Sequence, residues 1–356
     1  MLDPDHFVDN KFGAKAPTAD QRRDKLNKLK KILASVIAAA LVVPGISAAA
    51  ERHDTVILGG TPFGLTMYTS GVVVINVDDK DDSPAHAAGI QKNDVITRAN
   101  GEEISTNEQL KEIIADSKGE DIELSLTRGE SPISLTITPE QTEDGGYSVG
   151  MWIRDSTAGL GTVTYYDEGA YCFGALGHGI NDKDTGILLP LKRGKVLQAT
   201  ITSVSKAQQG VPGGLNGYIT DVEIGEITLN TGFGVFGRYD SAPEGKRIEC
   251  ADSSEVSIGD AYIYCTLDDG APQSYDVRIE RLNEDDSSGQ NMIIRVTDSE
   301  LLDKTGGIIQ GMSGSPIIQN GKLVGAVTHV FVNSPEMGYG ILIENMRECY
   351  KEYGGL

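Results

Sequence analysis

Aromatic residues make up only 6% of this 356-residue chain, with one tryptophan. Cysteine is scarce too: Cys172, Cys250, Cys265 and Cys349. No two form a CxxC pair and no Cys/His spacing suggests a zinc site. The thiols are expected free or partly buried; a translocated domain has room for one disulfide, which sequence cannot pair. Lys and Arg number 31 against 52 acidic residues, for a net charge of −21. Such a surface is a poor partner for nucleic acid, whose phosphates need basic faces. A phosphate-binding glycine fingerprint is missing: no Gly-x-x-x-x-Gly-Lys-Ser/Thr occurs and no glycine loop opens a βαβ unit. No cofactor or metal is called for. Nor is there the repeat or low-complexity pattern of a structural filament.

Glycine, in contrast, is abundant, at 43 residues. Glycine with short apolar runs favours β-structure and tight turns. Charge is uneven along the chain. Residues 1–31 carry eight Lys/Arg and five Asp/Glu and include His6, whereas residues 32–50 carry no charge. The body is therefore more acidic than the total, at about −24. The uncharged stretch can just span a bilayer, with its basic flank held in the cytoplasm and the acidic body exported. An equally good reading is a signal peptide: Ile32–Val43 as core, Pro44-Gly45 as breaker, and Ala48-Ala49-Ala50 as cleavage site before Glu51. His53 follows, and nothing singles it out.

Residues 56–140 read as a compact α+β module. Val56–Leu65 is a strand ending in Gly59-Gly60-Thr61-Pro62-Phe63-Gly64-Leu65, and Val72–Val77 is a β-branched strand. Ser83-Pro84-Ala85-His86-Ala87-Ala88-Gly89 is a short capped helix, with His86 on its solvent face. Asn93-Asp94-Val95-Ile96, Asn100-Gly101, an amphipathic helix over Asn107–Ala115 and a closing hairpin complete it. These strings resemble a bacterial PDZ domain of the kind attached to envelope proteases. The resemblance implies a C-terminal peptide as partner, with Phe63, Gly64 and Leu65 as the peptide-binding loop whose N–H groups receive the carboxylate by strand addition.

The stretch around which the rest is organised is Gly311-Met312-Ser313-Gly314-Ser315-Pro316, followed by two apolar runs around Asn320-Gly321, a β-hairpin signal. A serine between glycines sits on a sharp turn that brings backbone N–H groups near a reacting atom, as acyl transfer requires. The string resembles the nucleophile segment of chymotrypsin-like serine proteases. Met312 stands where many of these have Asp, so activation by pairing a freed N-terminus is not expected. A base is needed next. His178 lies between Gly177 and Gly179 at the end of an expected strand, ahead of Asp182 and Asp184. His329 falls on the strand after the nucleophile hairpin and is expected in the substrate pocket, where a cationic wall would favour acidic side chains.

The C-terminal strings are similar to the SpoIVB family of sporulation peptidases: Tyr147 through Thr162, Gly174-Ala175-Leu176-Gly177-His178, and Thr305 through Asn333. The resemblance implies a mainly β fold, with an N-terminal membrane or signal helix, an α+β PDZ domain (56–140) and a chymotrypsin-like double β-barrel peptidase domain (147–356). It implies a self-cleaving serine peptidase secreted from the forespore toward the space between the forespore and mother-cell membranes. There it would cut a partner that restrains an intramembrane metalloprotease, which in turn processes pro-sigma-K. Ser313 would be the nucleophile, His178 the base, and the N–H groups of Gly311 and Ser313 the oxyanion hole. The family's proposed acid matches Asp298, whereas ordinary two-barrel proteases would place it nearer Asp221. The alternative is a catalytically silent PDZ scaffold that regulates an envelope protease.

Overall fold

A computed structural model describes residues 55–80, 83–241, 243–283 and 288–354. The basic tail, the uncharged segment 32–50, His6 and His53 lie outside the described residues. Among the described residues no helix is long and apolar enough to cross a membrane.

The order begins with β1 (Thr55–Leu58) and the long β2 (Pro62–Val77). Then come α1 (Pro84–Ala87), β3 (Val95–Ala99), β4 (Glu102–Glu103), α2 (Asn107–Asp116), the hairpin β5 (Ile122–Arg128) and β6 (Ser131–Ile137), and the short pair β7 (Glu140–Gln141) and β8 (Tyr147–Ser148). β9 (Met151–Asp167) runs antiparallel to β2 from Pro62↔Thr162 to Val77↔Met151. β10 (Cys172–Ala175), β11 (Leu191–Ser205), β12 (Gly214–Thr231) and β13 (Gly234–Tyr239) follow. The path β9-β10-β13-β12-β11-β2, closed by the β2–β9 pairing, is a six-stranded barrel. β14 (Arg247–Glu249) pairs with β1 on its flank. A second closed barrel holds β15 (Gly259–Cys265), β16 (Gln273–Leu282), β17 (Met292–Val296), β18 (Pro316–Gln319), β19 (Lys322–Val330) and β20 (Met337–Leu342). α3 (Ser299–Thr305) lies between β17 and β18, and α4 (Ile343–Tyr353) ends the described chain.

Local chemistry explains the elements. β16 buries every second residue, Tyr275, Val277 and Ile279, as a one-sided strand must. The β18–β19 hairpin turns through Asn320 (φ 51°) and Gly321 (φ 81°), the left-handed pair that a two-residue hairpin requires. Ser83 caps α1 ahead of Pro84, and Thr106 with Gln109 forms a capping box on α2. Asp94, from the Asn-Asp-Val-Ile string, is buried and grips Arg128 with two 2.8 Å bonds. Each barrel has its own core: Phe63, Met67, Phe173 and Val235 in the first, Ile263, Val277, Ile294 and Ile317 in the second. A further cluster, including Tyr165, Phe236, Ile341 and Met346, packs the barrels and α4 together. Cys172, Cys265 and Cys349 are buried, and burial pushes the Cys172 and Cys265 thiols up to about 12.

Two expectations need correction. Phe63, Gly64 and Leu65 are not a loop. They lie mid-strand in the first barrel, paired with Gly161, Leu160 and Gly159 on one side and Gln198, Leu197 and Val196 on the other. Phe63 is fully buried, worth about 2–3 kcal/mol on its own, and both strand edges are occupied, so no peptide strand can be added there. The domain boundary also moves. The first half of β2 belongs to the barrel, and the PDZ core of Val72, Ile96, Leu110 and Leu124 hangs from the far end of the β2–β9 ribbon. The change of role falls at Ser70-Gly71, where the register between β2 and β9 slips and Gly71 takes φ 99°.

Candidate active site

The turn that carries Ser313 is suspended between the two barrels. Gly311 and Gly314 both adopt φ 96°, a region that favours glycine. Met312 is fully buried in the second-barrel core, which explains an apolar residue at that position: it anchors the turn. Gly314 N–H donates to the Val327 carbonyl (2.7 Å), and Ser315, also buried, donates its hydroxyl to the Met312 carbonyl (2.6 Å). From the first barrel, Thr162 donates its N–H to the Ser313 carbonyl (3.0 Å) and its hydroxyl to that of Gly311 (2.8 Å), and Thr164 donates its hydroxyl to the Gly314 carbonyl (2.8 Å). Both threonines are buried. Among the described residues the N–H groups of Gly311 and Ser313 donate to no protein group, so both remain available to an incoming oxygen. The Ser313 hydroxyl donates to the Thr328 carbonyl at 2.6 Å.

His178 follows β10 on a turn made by Leu176 (φ 65°) and Gly177 (φ 68°). A side chain at Gly179 would overlap Leu188 and the Thr231 carbonyl. The loop beyond is held from two sides. Asn230 accepts from Ile180 N–H (2.8 Å) and donates to the Ile180 and Leu189 carbonyls (3.0 and 2.9 Å). Arg154 of β9 pairs with the buried Asp182 and, at 2.6 Å, with Asp184. The half-buried imidazole donates Nδ1–H to the Gly179 carbonyl at 2.8 Å, leaving Nε2 as the acceptor nitrogen. The His329 ring lies 4.6 Å away, centroid to centroid. Desolvation foremost, then repulsion by His329, pulls the His178 pKa from 6.5 down to about 4. Desolvation lowers that of His329 too.

Ser313, His178 and His329 line one cleft of about 460 Å³. Its other walls are mainly aliphatic, with Ile308, Ile309, Val330 and Val332 near the serine. With His329 on the rim uncharged at neutral pH, the cationic pocket expected for acidic side chains gives way to an apolar one. An adjoining groove of about 550 Å³ shares Leu160, Gln310 and Gly311 and is floored by Gly159, Gly214 and Gly217. Small residues there let an extended backbone approach. No group of three His, Cys, Asp or Glu able to hold a metal occurs among the described residues.

Asp298 is not brought to His178. It caps α3, accepting from Leu301 N–H at 2.9 Å and from Asp276 N–H at 3.3 Å. Asp221 is exposed on β12. The acceptor facing His178 Nδ1 is therefore a backbone carbonyl. This separates two outcomes for Asp298→Asn. Asparagine caps as well as aspartate, so activity within about tenfold of wild type is expected, and Asp298→Ala should cost only about 1 kcal/mol of stability. A triad acid replaced by asparagine would instead cost about 10⁴-fold in kcat.

Comparison with known proteins now decides the family. The model of the SpoIVB peptidase S55 family matches residues 145–347, more than half the chain. The chain belongs to the SpoIVB peptidase S55 family. That family's match begins after β2, so the barrel strand Pro62–Thr69 stands outside it, within a PDZ domain match over residues 59–138. A mitochondrial serine protease HTRA2 of Drosophila grimshawi is 38% identical over 58 residues, 16% of this chain and 13% of that protein. A putative zinc metalloprotease of Clostridium perfringens is 33% identical over 69 residues, 19% and 21% of the two chains. The chain spans between 13% and 23% of the length of the curated relatives it matches. Among solved structures, the PDZ domain of an SdrC-like protein from Listeria monocytogenes overlaps 24% of this chain and 87% of its own (23% identity, TM-score 0.22). The Rv3671c protease from M. tuberculosis, active form, overlaps 56% and 76% (14% identity, TM-score 0.33).

Residue identity alone did not single out Thr162, Thr164, Thr328, Asn230 or Arg154. The one available signal was a buried-strand threonine pair, 162 and 164, on one face of a strand otherwise rich in glycine and apolar residues.

Proposed function

We propose that this SpoIVB-family chain is a self-processing serine endopeptidase. The observation that carries the reading is a serine flanked by two uncommitted N–H groups in the same cleft as an uncharged histidine. An extended peptide lies along the cleft with an apolar side chain against Ile308, Ile309, Val330 and Val332. Ser313 leaves the Thr328 carbonyl and gives its proton to His178 Nε2 as its oxygen adds to the substrate carbonyl carbon. The oxyanion is received by the N–H groups of Gly311 and Ser313. His178 then passes the proton to the departing amine, the C–N bond breaks, and water hydrolyses the acyl-enzyme by the same proton path. The Gly179 carbonyl orients the imidazole, and Asp298 serves at one remove by capping the helix ahead of segment 306–313.

The resemblance to sporulation peptidases, with the basic run before residues 32–50, supports export from the forespore with or without a retained membrane anchor. It also supports a protein substrate that regulates an intramembrane metalloprotease acting on pro-sigma-K, and cleavage of the chain itself. The silent-scaffold reading is favoured only by the hold of Thr328 on the Ser313 hydroxyl.

A fluorophosphonate tests the reading directly. Label is expected on Ser313, located by mass spectrometry of the digested adduct. The rate should stay flat from about pH 8 to about pH 5 and fall only near pH 4, because lowering the pKa of a base extends its working form toward acid. A midpoint near the ordinary 6.5 would contradict the desolvated histidine, and no label on Ser313 at any pH would favour the scaffold.

A further inference from the structure

β11 and β12 outgrow the barrel they help to close. β11 leaves β2 at Gln198↔Phe63, and β12 joins β13 only from Gly225 onward. Between these points the two strands pair with each other alone, from Ala199↔Ile219 to Ser205↔Gly214. A lone two-stranded ribbon is marginal in water, so this arm needs support from elsewhere. The second barrel provides it: Ile201, Ala207 and Leu215 are buried in that barrel's core, together with Ile309 and Met312.

The tip of the arm docks on the segment ahead of Ser313. Ala207 N–H donates to the Thr305 carbonyl (2.8 Å), and Gly210 N–H donates to that of Val332 (2.9 Å). Gln310 N–H donates to the Gly213 carbonyl (3.0 Å), and Leu215 N–H donates to the Gln310 carbonyl (2.9 Å). These two bonds form a parallel bridge between Gly214 and Gln310. The approach is close: a methyl group at Gly213 would lie 2.6 Å from the Ile309 side chain, and one at Gly311 would lie 3.0 Å from that of Leu215.

The bond from Leu215 has a chemical consequence. In a trans peptide the C=O of one residue and the N–H of the next point in opposite directions. Holding the Gln310 carbonyl against the arm therefore turns the Gly311 N–H away from it, toward the cleft. Among the described residues no other backbone donor meets that carbonyl. Gly311, at φ 96°, has the freedom of glycine to let this peptide rotate. Once rotated, it would present a carbonyl to the oxyanion in place of an N–H.

We propose that Leu215 N–H is a positioning group for the oxyanion hole: through the tip of the β11–β12 arm, the first barrel sets the Gly311 donor that the Ser313 turn uses. The inference rests on the peptidase reading above and adds a requirement to it, that the arm be docked before Ser313 can turn over substrate.

The test follows hydrolysis, by the full chain, of a tetrapeptide p-nitroanilide with leucine before the cleaved bond. Leu215 spends its N–H on Gln310 and donates nothing to Val204 opposite. Leu215→Pro, near the start of a strand whose other edge is free there, thus removes that one bond. It should lower kcat at least about tenfold below Leu215→Ala, and by no more than the roughly 10²–10³-fold that a lost oxyanion donor costs. KM should stay within about twofold. The matching peptide aldehyde, which forms a tetrahedral adduct with Ser313, should lose affinity by the same factor as kcat. The peptide alcohol, which forms none, should bind both variants alike. Should Leu215→Pro fail to fold, an ester in place of the residue-215 amide, introduced by nonsense suppression, removes the N–H and keeps the leucine side chain. A kcat for the proline or ester form equal to that of Leu215→Ala overturns the proposal. So does a rise in KM alone, which would make the arm only a wall for substrate. If no form, wild type included, hydrolyses the anilide or takes label on Ser313, the peptidase reading fails by itself. Crystals of the ester form then judge the arm: a rotated Gln310–Gly311 peptide upholds its role, and an unmoved one overturns it.

Discussion

Ser313→Ala lowers kcat/KM by about 10⁴-fold or more and abolishes fluorophosphonate labelling. Fragments that accumulate when purified residues 51–356 are incubated vanish with it. The size of the effect follows from the chemistry: without the hydroxyl no acyl-enzyme forms, and the remaining donors can only polarise a carbonyl toward water. Stability is hardly touched. Among the described residues the hydroxyl's one protein partner is the Thr328 carbonyl, a neutral bond worth about 1 kcal/mol, so the melting temperature should fall by no more than about 3 °C. Ser315→Ala is the internal control. Its hydroxyl is buried and satisfied by Met312, out of reach of substrate, so labelling at Ser313 should persist within about tenfold. Loss of labelling in Ser315→Ala with retention in Ser313→Ala would move the nucleophile two residues on and dismantle the site described above.

Gly314→Ala has the largest expected effect on the fold. A methyl group there would lie 1.9 Å from the Thr162 carbonyl oxygen and 2.6 Å from the Leu176 nitrogen, both backbone, with φ at +96°. Neither obstacle is the movable end of a side chain. Strain and overpacking together should cost about 3 kcal/mol or more, read as a lowered denaturant midpoint. Activity should fall further than the folded fraction does, because Thr162 also holds the carbonyls of Gly311 and Ser313. Gly321→Ala is the contrast: its methyl group would meet nothing within 4 Å, so only the cost of a positive φ, about 1 kcal/mol, is expected. Equal stabilities for the two variants would show that the barrels do not close around Gly314 as described.

How much of this was legible beforehand depended on range. The Asn320-Gly321 hairpin, the capped α1 and α2, and the glycine-flanked Ser313 and His178 rest on residues a few positions apart, and local turn chemistry specifies them. The β2–β9 ribbon does not: it joins residues about ninety positions apart, and no local signal reports such a pairing. Phe63-Gly64-Leu65 follows Gly-Gly-Thr-Pro and so has the composition of a loop, yet burial of Phe63 and Leu65 between two neighbouring strands outweighs that composition. The Thr328 carbonyl and the Gly179 carbonyl are backbone groups, and residue identity says little about where a carbonyl will point. Asp298 sits in Thr-Asp-Ser-Glu, a string that starts a helix by local chemistry, and in the structure it caps that helix.

The ribbon also decides where this chain can be cut without ruin. A break between Pro62 and Thr69 would interrupt the stave that closes the first barrel between β9 and β11. Removing the whole PDZ module is milder, provided both rails of the ribbon are kept: Val77 and Met151 stand opposite each other in register, so a two-residue turn could bridge them. A shortened chain that instead starts at residue 145, where the family match begins, would lack a wall, and its silence would say nothing about what the PDZ module does.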